Sequence, residues 1–143
     1  MNRVRSREIA MEILYQMDMH KAFSATEVNK FLDHYEEKTD DSYIKEILEL
    51  FIINQPLIDE RIMSHLKGWK IERIGKIDLA ILRVAITEMM WVPSIPTKVS
   101  VNEAVNMAKK FVDEKSGKFI NGVLSHFMDE DRSAENLEVD KEV

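Results

Sequence analysis

The side chains suited to chemistry in this chain are cations, and they fall into two groups. Arg3, Arg5 and Arg7 precede the first acid, Glu8, and make the most positive segment of the sequence. Arginine suits phosphate because its planar guanidinium can donate two parallel hydrogen bonds. On a helix Arg3 and Arg7 share a face, being four residues apart. The same residues also suit a solubilising terminus that binds nothing. The second group is the run from Lys98 to Lys118, where Lys98, Lys109, Lys110, Lys115 and Lys118 outnumber Glu103, Asp113 and Glu114. Lys115 and Lys118 flank an expected helix start, where backbone amides already attract anions. Phe119 follows at once. An aromatic ring beside a lysine can stack on an unpaired base, worth ~1–3 kcal/mol. Spacing alone favours a core role for Phe119, because it begins an apolar stripe.

Other reactive chemistry is missing. There is no cysteine, so disulfides, thiol catalysis and cysteine-based zinc sites are excluded. His20, His34, His65 and His126 show no metal-ligand spacing, and no glycine-rich phosphate loop or G-x-S-x-G elbow is present. The pairs Asp40-Asp41 and Asp113-Glu114 read as solvated loop or helix-end charge rather than catalytic acids. The nine methionines read as flexible core filler. No enzyme, metal or cofactor is therefore expected. Net charge is −6, but residues 129–143 alone carry seven acids and two bases. The body is nearly neutral, so overall acidity does not argue against a local nucleic-acid site.

The elements that position these residues read as helices. The chain has 143 residues, 45% of them hydrophobic, with four glycines and three prolines, the size of one domain with a sufficient core. Ile9, Ile13, Leu14 and Met17 give a first helix starting between Arg3 and Ser6. Ser24-Ala25-Thr26-Glu27 has capping-box spacing and predicts a second helix to about Glu36. A long pattern from Ile44 to Leu66 contains Pro56, which predicts a kink near Asn54 and an end at Gly68. Ile77 to Val92 is apolar nearly all round and predicts a central helix covered on several sides. Arg83, its only cation, suits a structural ion pair, with a surface role as the alternative. Ser100-Val101-Asn102-Glu103 is a second capping-box pattern, and a last helix is expected from near Ser116. The fold class is all-α: two packed helical bundles in one compact domain, about six to seven helices over residues 1–131. Residues 132–143 are expected to form an acidic, disordered tail. No leader or membrane-spanning run is visible, which points to the cytoplasm.

Several of these stretches resemble the NusB family. Ile77-Asp78-Leu79-Ala80-Ile81-Leu82-Arg83 is similar to its I-D-x-A-I-L-R stretch. Glu88, Ile95-Pro96, Lys98-Val99 and Val101-Asn102-Glu103-Ala104-Val105 resemble its E-L…I-P-x-K-V-x-I-N-E-A-V block. Ala108-Lys109-Lys110-Phe111, Asp113-Glu114-Lys115-Ser116 and Lys118-Phe119-Ile120-Asn121-Gly122-Val123-Leu124 continue it, and Arg3 to Asp18 resembles its arginine-led first helix. The order holds over roughly residues 3–128. Val112 stands where the family usually has glycine, and residues 20–75 match only in pattern.

The resemblance implies a transcription antitermination factor, not an enzyme, that binds single-stranded boxA RNA together with NusE, a small-subunit ribosomal protein. The pair would join the RNA polymerase antitermination complex during ribosomal RNA transcription. The RNA-facing residues implied are Arg3, Arg5, Arg7, Lys115, Lys118 and Phe119. Exchanging Arg3 and Arg7 for alanine is then expected to weaken RNA binding without loss of helicity. A protein-only scaffold and an appended domain of a ribosomal RNA methyltransferase are the alternatives, and a homodimer is a possible assembly state. The RNA reading requires both cation groups to converge on one surface.

Overall fold

The computed structural model describes residues 2–66, 68 and 70–127. The tail expected to be disordered lies outside these residues. Among them the chain forms six helices and two short 3-10 turns, with no strand. Helix α1 spans Arg3–Met19, α2 Val28–Leu32, α3 Asp41–Ser64, α4 Lys76–Trp91 and α5 Thr97–Phe111. A last helix, α6, covers 114–127. None of the helices described is long and apolar enough to cross a membrane.

Helix α4 is the central post, as its apolar sequence requires. Eleven of its residues are buried, and it packs against α1, α3 and α5. It runs antiparallel to α1: Arg7, near the start of α1, meets Glu88 in the last turn of α4, while Asp18 meets Lys76 and Arg83. Helix α6 closes the far side with Ile120, Val123, Leu124 and Phe127 in the core. Its first turn is tied to the start of α4 through Ser116 and Asp78. The result is two helical bundles sharing one core, with α4 packed against helices of both.

Helix α3 bends where the proline predicts. Asn54 leaves helical geometry at φ −109°, ψ 15°, and its side-chain amide donates to the Leu50 carbonyl at 2.8 Å. Pro56 has no backbone N–H, so a bend costs less here than elsewhere. Helix α3 ends at Ser64, earlier than Gly68, which adopts φ +90° in the following turn.

Neither capping box forms. The Ser24 hydroxyl pairs with that of Thr26, and the chain enters α2 through a 3-10 turn, so α2 starts only at Val28 and ends at Leu32, four residues before Glu36. Helix α5 begins three residues before Ser100, with Pro96 as its cap. Ser100 is 2% exposed and donates to Glu88 at 2.7 Å. A buried carboxylate needing donors thus outbids the local cap for the serine.

Candidate nucleic-acid interface

The arginines of α1 share an element but not an environment. Arg3 donates to Asp40 at 2.9 Å and lies over the Tyr43 ring, 4.3 Å from its centroid, with its side chain 41% exposed. Arg5 donates to both carboxylate oxygens of Glu37, at 2.9 and 3.0 Å, and reaches Glu8 and Glu12. The Glu37 bond and its acidic neighbours push the Arg5 pKa above the usual arginine value, and Arg5 in turn holds the Glu37 carboxyl below its ordinary value. Asp40 is also lowered, first by the Tyr43 backbone amide and then by Arg3.

Arg7 is different: it is 5% exposed and points inward. Its Nε and Nη2 donate to Glu88 at 2.9 and 3.0 Å. The Tyr43 hydroxyl and Ser100 Oγ complete the shell around that carboxylate. Burial opposes the charge on Arg7, but its bonds to Glu88 outweigh the penalty and raise its pKa. Burial, reinforced by Glu88, likewise raises the Tyr43 hydroxyl. Arg7 therefore ties α1, α3, α4 and α5 together and offers nothing to an external phosphate. Arg83 is also structural, as its sequence context favoured. It makes two 3.0 Å bonds to Asp59 and packs against both the Phe23 and Phe51 rings, which contact each other edge to face.

The second group lies at the α5–α6 junction. Asp113 caps α6, its side chain accepting the Ser116 amide at 2.7 Å. Val112, where the family usually has glycine, sits at φ −126°, so this turn does not use the positive φ that favours glycine. Lys115 and Lys118 are exposed, and no carboxylate among the described residues pairs with either. Phe119 is half-buried: one part packs on the core, while the rest forms a ridge between two shallow grooves. The first, about 370 Å³, is bordered by Arg73, Asp78, Lys115, Ser116 and Phe119. The second, about 290 Å³, runs from Phe119 and Lys118 past Gly122 to His65 and His126. The buried part of Phe119 fits its core reading, and the rest of the ring stays accessible to solvent.

The two groups are anchored at opposite ends of α4, at Glu88 and Asp78, ten residues or about 15 Å apart along the helix. Lys110 stands between them: its ammonium donates to Glu8 at 2.9 Å, the same carboxylate that Arg5 contacts. Lys109 packs its alkyl chain over Gly117 at the start of α6. The structure thus gathers Arg3 and Arg5 with the acids of the 33–40 loop, and Lys115, Lys118 and Phe119 around the grooves. It leaves Arg7 inside. Sequence reasoning missed the partners Glu37, Asp40 and Glu88 and the groove residues Arg73 and His65, because they lie far away in the chain, and it missed His126, which lies on the same helix as Phe119 but showed no metal-ligand spacing. Among the described residues no cluster of histidine and acidic side chains is arranged to hold a metal.

The comparisons with known proteins agree with this architecture. The family model described as the NusB family matches residues 4–129. A transcription antitermination protein NusB of Oceanobacillus iheyensis is 42% identical over 126 residues, covering 87% of this chain and 97% of its own. One from Acetivibrio thermocellus is 45% identical over 125 residues, covering 87% and 86%. Among solved structures, T. maritima NusB superposes with a TM-score of 0.82 at 27% identity, covering 91% of this chain and 92% of that one. A chain from the crystal structure of antitermination factors NusB and NusE in complex with dsRNA gives 0.78 at 28% identity, covering 90% and 98%.

Proposed function

The chain belongs to the NusB family, and from that premise we propose that it is a cytoplasmic, non-enzymatic antitermination factor. It takes up the boxA element of nascent RNA as a single strand, together with the ribosomal protein NusE. In the RNA polymerase antitermination complex this supports processive transcription of ribosomal RNA operons. The observation that carries the reading is the exposed strip at the α5–α6 junction. There Lys115 and Lys118, with no acidic partner among the described residues, flank a half-exposed Phe119 between two grooves. Lysines can hold the phosphates while the ring stacks on a splayed base, the way unpaired RNA is read.

The charge pattern explains the need for a partner. Arg3 and Arg5 already hold carboxylates, so each must exchange an internal ion pair for a phosphate. That leaves Arg73 and Lys115 at the first groove and Lys118 at the second, and neutralising three phosphates on a single strand gives a log–log salt slope of only about −2. A basic ribosomal protein supplies the missing charge.

The test is a titration of boxA-like and scrambled RNA, with and without NusE. Affinity for the boxA-like RNA is expected to rise markedly with NusE, and Lys115→Ala plus Lys118→Ala to weaken it without loss of helicity. Equal affinity with and without the partner, or for both RNAs, refutes the reading.

A further inference from the structure

Gly122 occupies the middle of α6, where glycine is the poorest helix former after proline. Packing usually excuses such a residue, through a neighbour that leaves no space for a side chain. Here a Cβ added at Gly122 would meet nothing within 4 Å, and its backbone has no positive φ that demands glycine. Gly117, on the same helix, shows the contrast: its Cβ would strike the Lys109 side chain at 2.9 Å. The fold explains Gly117 and does not explain Gly122.

The surroundings of Gly122 do offer a reason. Lys115, Phe119, Gly122 and His126 follow at spacings of four, three and four, so they lie along one face of α6, with Lys118 beside them at its edge, three residues after Lys115 and four before Gly122. Gly122 forms part of the wall of the second groove, between the Phe119 ridge and the His126 rim, with His65 and Leu66 opposite. A ligand entering there can approach the helix backbone closely only because no side chain stands at this position. The lining combines apolar surface from Leu66, Phe119 and Val123 with one cation and two imidazoles, which suits a flat nucleobase with its phosphate on Lys118.

We propose that the second groove is a nucleotide subsite, taking an unpaired RNA base on the far side of Phe119, and that Gly122 is its specificity-determining opening. The subsite rests on the RNA-binding reading above and extends it to residues that reading does not use. It predicts that stability and binding move in opposite directions. Gly122→Ala raises the thermal midpoint by about 2–8 °C, as expected for relief of a helix glycine. Gly122→Leu fills the groove and weakens RNA on the order of tenfold, the loss of roughly one stacked base, with Gly122→Ala falling between.

The experiment titrates wild type and both variants with boxA-like RNA alone, with NusE alone, and with RNA in the presence of NusE, after thermal unfolding of each has been recorded. Weaker RNA binding by variants that are at least as stable as wild type supports the subsite. RNA affinities within twofold of wild type overturn it. So does a loss confined to NusE binding, which would make Gly122 part of a protein contact. If wild type itself binds no RNA under any condition, the function proposed above fails first, and the subsite falls with it.

Discussion

Replacing Arg7 by alanine separates a structural arginine from an RNA-binding one. In the folded chain Arg7 is 5% exposed and Glu88 1%, so neither can be rescued by water. Alanine at position 7 leaves the Glu88 carboxylate with two neutral donors, the Tyr43 hydroxyl and Ser100 Oγ, and no countercharge. Breaking a buried ion pair from one side costs about 3–5 kcal/mol, because the remaining charge stays desolvated. Against a total stability of ~5–15 kcal/mol, that is enough to leave part of the population unfolded at physiological temperature. The assay is urea unfolding followed by far-UV circular dichroism, with the slope checked for constancy so that the midpoint reports stability alone. Glu88→Gln should lose a comparable amount, since it strands the Arg7 cation instead. The double variant Arg7→Met plus Glu88→Leu should lose much less than the two single losses added together, because no charge is then stranded. A loss below ~1 kcal/mol for Arg7→Ala, or weakened RNA binding at wild-type stability, would refute the structural assignment. The expectation that Arg7 can be exchanged without disturbing the helices gives way to this one for a single reason: the side chain points into the protein.

Three further outcomes follow from particular contacts. Arg83→Ala strands the half-buried Asp59 and leaves Asp18 with Lys76 alone, and should cost about 3 kcal/mol in the same unfolding assay, with a smaller loss for Arg83→Lys, which cannot bind Asp59 through two nitrogens. Lys21 sits at φ +55° just past α1, where the Ala22 amide bonds the Met17 carbonyl and the Lys21 amide that of Asp18, so Lys21→Gly should raise stability by about 1 kcal/mol. Gly68→Ala, at φ +90° with open space around it, should lower stability by about as much, and thermal unfolding of both checks the signs. Glu37 and Asp40 have folded pKa values below their ordinary 4.5 and 3.8, so the stability they add is complete above about pH 5 and is lost as pH falls through and below that range. Unfolding midpoints measured from pH 6 downward should fall less steeply in Glu37→Gln plus Asp40→Asn than in wild type.

Much of this protein can be read from its residues in order. The apolar spacing from Ile9 to Met17, the all-round apolar run of α4 and the stripe from Phe119 to Phe127 each fix a helix and its buried face, because periodicity records which side of an element avoids water. Pro56 fixes the bend in α3 through the hydrogen bond it cannot make. The motifs from Ile77 to Leu124 fix the family. The fate of each polar side chain was settled only by packing. Arg3, Arg5 and Arg7 look alike in sequence, yet one is half-exposed, one is held by three glutamates and one is sealed against a residue 81 positions away. Ser100 spells a helix cap and instead serves Glu88. Such roles depend on which charges a fold brings into a low-dielectric interior, where an unpaired group is costly enough to override local preference. That pairing crosses dozens of residues, and local sequence carries no record of it.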